Sequence, residues 1–79
     1  MNYTPYESNL LSILSFASTR ATWVSVSSCA SKTNVEYNLA WFYLQSDCFG
    51  QVAEFYHYDY RVRRRGKTLY LSAVSRGYA

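Results

Sequence analysis

From Tyr56 to Ala73 the sequence alternates with a period of two, interrupted only by the basic run around Gly66. With the chain folded back at Arg65-Gly66, Tyr56, Tyr58, Tyr60, Val62, Leu69, Leu71 and Ala73 share one face. His57, Asp59, Arg61, Arg63, Thr68, Tyr70 and Ser72 share the other. Such a separation belongs to an antiparallel hairpin with one face buried and one wet. A two-residue loop at Arg65-Gly66 sets Arg64 opposite Lys67, Val62 opposite Leu69, Tyr60 opposite Leu71 and Tyr58 opposite Ala73. A slip by one residue would bury Asp59, Arg61 and Arg63, so the Leu, Val and Ala positions decide which face turns inward. Strands are expected over Gln51 to Val62 and Lys67 to Ser75. Glu54 interrupts the inward face and is placed at the strand start or beside a bulge.

A lone hairpin is not stable in water and needs a further layer. Thr4-Pro5-Tyr6-Glu7 supplies a helix start: Thr4 as cap, Pro5 at the first helical position, Glu7 completing a capping box. A helix is expected from Pro5 to Ser18, with Tyr6, Leu10, Ile13, Leu14 and Ala17 as its apolar stripe. Its Ser content is poor for helix, so packing must hold it. Ala21 to Ser28 reads as a strand on Thr22, Trp23, Val24 and Val26, and Cys29 to Asn34 as a polar loop. Val35 to Gln45 reads as a strand on its aromatic and β-branched content; a helix capped by Asn34 and ended by Gly50 is the alternative. Trp41-Phe42-Tyr43 within it reads as core, with one ring free to show outward if the sheet has an open face. Ser46 to Gly50 reads as a turn. The expected fold is α+β: one N-terminal helix packed on a three- to four-stranded antiparallel sheet in the order α-β-β-β-β.

Seventy-nine residues make one domain, expected to span 1–79. A chain this short buries roughly 60% of its unfolded surface. Nine Tyr, four Phe and two Trp compensate, since each ring removes a large area from water. The two cysteines, Cys29 and Cys48, have no Cys/His spacing for zinc and read first as buried or idle thiols of a reducing cytosol, with a disulfide as the alternative. No cofactor or metal is expected. No apolar run is long enough for a bilayer and no signal-peptide pattern opens the chain, so the expected location is the cytoplasm, of the host cell if the chain is viral.

The net charge of +3 is unevenly placed. Residues 1–60 hold two cations against five acids, a net of −3; residues 61–79 hold six cations and no acid. Arg61-Val62-Arg63-Arg64-Arg65-Gly66-Lys67 is therefore the leading candidate site, because guanidinium groups grip phosphate and carboxylate in bidentate fashion. Tyr70, across the hairpin, is placed to stack on a base. The plain structural alternative is a solvated hairpin end that keeps the sheet edge from pairing with other chains. His57, Asp59, Arg61 and Tyr70 share the outward face, a set that can serve acid–base chemistry on a phosphodiester or form a surface lattice with Asp59 paired to Arg61 or Arg63.

Tyr58-Asp59-Tyr60-Arg61-Val62-Arg63 followed by Lys67 to Arg76 is similar to the closing hairpin of the RelE-type ribosome-dependent RNase toxins. The resemblance covers about a quarter of the chain. It implies Arg61, Arg63 and Tyr70 or Tyr78 as the working residues of a small RNase. That family precedes its sheet with helices bearing Lys- and Arg-rich faces, whereas here the preceding residues are acidic overall and their helix is Ser-rich. The sequence has no Gly-rich loop, nucleophile elbow or metal-ligand cluster. It therefore reads first as a non-catalytic interaction module, a stoichiometric inhibitor or adaptor docking on a nucleic-acid-handling protein. Proteins of this build are frequent among phage and mobile-element accessory factors, which is analogy only. The candidate binding residues are Arg61, Arg63, Arg64, Arg65, Lys67, Tyr70 and His57. Direct RNA or DNA binding through residues 61–67 is the alternative, and the small RNase is the enzymatic one.

Overall fold

A computed structural model describes residues 5–20 and 22–77, with only the backbone described at Pro5 and Tyr6. The elements run α1 (Pro5–Ser18), β1 (Val24–Ser25), α2 (Val26–Thr33), α3 (Tyr37–Leu44), α4 (Asp47–Phe55), β2 (Tyr58–Arg65) and β3 (Thr68–Ser75). The strands form one antiparallel sheet in the order β1-β3-β2. The α+β class, the N-terminal helix and a three-stranded antiparallel sheet hold, but the fourth strand and the α-β-β-β-β order do not. Three of the four expected connections and strands before the hairpin are helical. The expected Thr4 cap lies outside the described residues, as do Tyr78 and the Tyr6 side chain of the apolar stripe.

The helix α1 buries Leu10, Ile13, Leu14 and Ala17, the expected stripe at helical spacing. It packs on β3, α2 and α4. Beyond it, the expected strand over 21–28 shrinks to Val24 and Ser25. Ser25 has extended backbone and its side-chain oxygen accepts from the Ser28 amide, so it caps α2. Val26, Cys29 and Ala30 then recur at i, i+3 and i+4 and are buried. Asn34, expected as a possible cap for the next helix, instead ends α2 in the left-handed conformation (φ 59°), which Asn tolerates better than most residues.

Val35 to Gln45 holds α3 in place of a strand. Helix folding sends Ala40, Tyr43 and Leu44 inward on one stripe. Tyr37, Leu39 and Phe42 stay exposed, so the Trp41-Phe42-Tyr43 triplet divides: Tyr43 is core, Trp41 half-buried, and Phe42 61% exposed. Trp41 Nε1 donates to the Tyr37 hydroxyl at 2.7 Å, one turn back. The expected turn over 46–50 is the start of α4. Ser46 accepts from the Cys48 amide at 3.1 Å, Asp47 sits in the first turn, and Phe49, Val52 and Ala53 face the core. Glu54 thus lies on the exposed side of a helix and breaks no strand pattern.

The strand expected from Gln51 starts only at Tyr58, since residues through Phe55 belong to α4 and Tyr56 and His57 turn between the two; from Tyr58 on the inward and outward faces are as expected, but the pairing is two residues further along. Val62 faces Leu71, Tyr60 faces Ala73, and Arg65 faces Thr68. The loop is Gly66-Lys67, with positive φ at Gly66 alone, as a type II′ turn requires. Because side chains alternate with period two, a shift of two leaves both faces intact. Leu69, Leu71 and Ala73 are buried, and Tyr56, Tyr58, Tyr60 and Val62 pack against the core edge. Phe49 meets Tyr60 edge-to-face at 4.8 Å. A Cβ at Gly50 would stand 3.0 Å from the Tyr60 hydroxyl, so glycine there admits the ring.

Leu71 is fully buried on the inward face, and Ser72 points the other way. Leu71→Asp should abolish cooperative unfolding, because it buries an unpaired charge. Ser72→Asp, beside Arg61, should shift the melting temperature by a few degrees at most. Thermal unfolding of the two variants checks the face assignment, and reversed sensitivities would refute it.

Burial pushes the Cys29 thiol up from its ordinary 9.0 to about 11. Between those values the unfolded chain loses its proton and the folded chain keeps it, so stability should fall as pH rises from 9 to 11. Tyr60, raised by burial and then by the Asp47 charge, acts in the same direction. The Cys29 share should be on the order of 2 kcal/mol and absent in Cys29→Ala. Urea midpoints of both proteins across this range measure it, and parallel slopes would show that Cys29 contributes nothing.

Candidate functional site on the open face of the sheet

The sheet has its helices on one side. The other side carries Asp59, Arg61, Arg63 and Arg65 from β2, Thr68, Tyr70, Ser72 and Val74 from β3, and Trp23 just before β1. Strand alternation dictates this set, since each strand residue in it is out of phase with the positions that turn toward the helices. Arg63 lies directly opposite Tyr70, and Arg61 opposite Ser72. The Arg63 guanidinium carbon sits 4.9 Å from the centre of the Trp23 ring, a cation–π contact across the central strand. Trp23, Arg63, Arg65 and Tyr70 bound a hollow of about 190 Å³. A second, of about 430 Å³, lies on the other side of Trp23 between Asp59, Arg61, Ser72 and Val74.

The structure brings together four of the sequence-derived candidates, Arg61, Arg63, Arg65 and Tyr70, and leaves three apart. Arg64 has the opposite parity and bends its Nε to the Gly66 carbonyl at 3.2 Å. Lys67 is exposed in the turn. His57 does not lie in the strand. It follows the C-cap of α4 with φ of 66°, a conformation that ends the helix, and its carbonyl accepts from the Arg76 amide. It stands six residues from Arg63, or roughly 20 Å along the strand. The acid–base set His57, Asp59, Arg61 and Tyr70 is therefore spread along the hairpin rather than gathered. Asp59 pairs with Arg76 at 3.5 Å, not with Arg61 or Arg63. That pair is well exposed and contributes about 0–1 kcal/mol.

Its consequence is electrostatic. Among the described residues, no carboxylate lies within ion-pair distance of Arg61, Arg63, Arg64, Arg65 or Lys67. Arg61, Arg63 and Arg65 leave one strand face at backbone positions that repeat roughly every 6–7 Å. Trp23 was missed as a site residue because in the sequence it is one aromatic among the β-branched residues that mark residues 21–28 as a strand. The signal that finds it is phase: Val24 is inward, so Trp23 is outward.

Another hollow, about 570 Å³, lies elsewhere, lined by Ser8, Leu11, Ser12, Ser15, Phe16, Lys32 and Thr33. Lys32 is its single ionisable group, so it offers no acid–base pair. Among the described residues no cluster of His, Cys, Asp and Glu could hold a metal, and no helix is long and apolar enough to cross a membrane. Cys29 is buried and Cys48 exposed, and neither is bonded to the other. No protein-family model matches the chain, and no curated protein or solved structure matches it significantly. The likeness of the hairpin to the RelE-type toxins thus stands on its own few residues.

Changing Arg63, Arg64 and Arg65 together to Ser should leave the fold intact, since all three are exposed. Loss of the Arg63–Trp23 contact costs about 0.5–1 kcal/mol, and relief of repulsion offsets part of it. A melting temperature lowered by more than about 10 °C would show that the cluster holds the hairpin together.

Proposed function

We propose that the chain is a non-catalytic binding module that engages an anionic partner through the open face of its sheet. In that role it acts stoichiometrically, as an inhibitor or adaptor of nucleic-acid-handling machinery. One observation carries the reading: an uncovered sheet face bears three aligned arginines without acidic partners, and Arg64 and Lys67 add charge at its tip. Such an arrangement raises the local potential and speeds encounter with anions. Binding is favoured over catalysis because His57 stands far from Arg63 and Tyr70.

A protein contact has its own support on the helical side. Tyr37, Leu39 and Phe42 on α3 are exposed large apolar residues, of the kind that anchor protein partners. An adaptor would use both sides, one for an anion and one for a protein.

The test is retention on heparin with a salt gradient, followed by titration with heparin. The native chain should elute well after the Arg63/Arg64/Arg65→Ser variant, and its affinity should fall steeply with salt. Coincident elution of the two folded proteins would leave the cluster as a solubility device. RNA cleavage that disappears in His57→Ala would replace the reading with the enzymatic one.

A further inference from the structure

The anionic partner has a further property that the charge alone does not supply. Trp23 is half-exposed on the face, with its ring held against the Arg63 guanidinium at 4.9 Å. Tyr70 is half-exposed in the same hollow. Thr68 and Ser72 flank Tyr70 on the central strand, so hydroxyl groups stand beside the rings. An acidic protein surface would pair its carboxylates with the arginines, and its charged groups would leave the faces of the rings unmatched. A planar aromatic ligand carrying phosphates would use both.

We propose that this face binds single-stranded nucleic acid, with Trp23 and Tyr70 as platforms for unstacked bases and Arg61, Arg63 and Arg65 on the sugar–phosphate backbone. This rests on the reading of the face as an anion-binding surface. Stacking on side chains needs bases whose faces are free, and a duplex keeps them covered. A basic track lined with aromatic rings is the general means of holding a single strand without regard to its sequence. The track has the needed length: eight residues of β2 extend roughly 26 Å. The arginines follow one line along it; Tyr70 lies beside that line on β3, and Trp23 stands one strand further across, just before β1. Arg63 serves both parts. Its guanidinium rests on the indole when the face is empty, and moving to a phosphate would uncover the ring for a base.

The experiment uses a Trp41→Phe background, in which Trp23 is the one remaining indole. Its fluorescence is titrated with about 12-nucleotide oligo(rU) and oligo(dT), with a duplex of equal length, and with heparin. Both single strands should quench Trp23, and any difference between them tells whether the sugar hydroxyl is read. The duplex should bind at least tenfold more weakly. The slope of log affinity against log salt should be about −2, for three phosphates at −0.7 each. Trp23→Ala should weaken single-strand binding by roughly tenfold or more, and Trp23→Phe should restore most of it. Melting curves verify that each variant is folded. If Trp23→Ala fails to fold, quenching of the intact indole decides.

Heparin binding that depends on the arginines, without quenching by single strands or loss in Trp23→Ala, would overturn this inference and leave the anion-binding reading standing. Duplex binding as tight as single-strand binding would also overturn it. If neither heparin nor any oligonucleotide binds, both readings fall.

Discussion

Burial of the inward face of β3 organises this protein. Leu69, Leu71 and Ala73 turn toward α1, whose Leu10, Ile13, Leu14 and Ala17 are almost wholly removed from water. As the central strand, β3 has its backbone paired on both sides, by β1 at Val24 and Ser25 and by β2 along the whole hairpin. Without that apolar face a sheet this small would not be stable. With it, the phase of every side chain in the sheet follows. Even the short β1 is oriented by it, because Val24 faces inward level with Leu71.

The same constraint produces the basic face. Alternation that buries Leu71 must expose Tyr70 and Ser72, and alternation that turns Val62 inward must expose Arg61 and Arg63. The helices occupy the inward side, so nothing in the described chain covers these residues. The acids of the first sixty residues lie on the helices and at the far end of the hairpin, where Asp59 is taken up by Arg76. Charge separation in the sequence thus becomes charge separation in space. Like charges at this spacing repel, and only weak compensation is available from the Trp23 ring.

The hairpin was legible because its signal is long and of one period. Its faces survive a loop placed one residue away, since moving the turn from Arg65-Gly66 to Gly66-Lys67 shifts the pairing by two, an even number. Turn chemistry decides between them: Gly at the first central position satisfies the positive φ that Arg65 would meet only with strain. The short helices were not legible. Val26/Cys29/Ala30, Ala40/Tyr43/Leu44 and Phe49/Val52/Ala53 each offer one i, i+3, i+4 triplet in eight or nine residues. Helical periodicity needs a window of about 11 residues or more to stand out from strand content. The Ser25 and Ser46 caps were the available signals, and both resemble ordinary turn serines.

Local chemistry by itself determined the N-terminal helix, the alternating hairpin, the direction of its faces and the concentration of cations at residues 61–67. Each is a property of near neighbours in the chain: helical spacing, strand parity, or charge along a run. Tertiary structure decided the fate of residues 26–55 and the make-up of the site. Intrinsic preferences of aromatic and β-branched residues differ between helix and strand by tenths of a kcal/mol, so burial of Ala40, Tyr43 and Leu44 against the rest of the core settles α3. Likewise, only the pairing of β1 with β3 brings Trp23 to Arg63, forty residues apart in sequence, because no local rule says which strand will lie beside which.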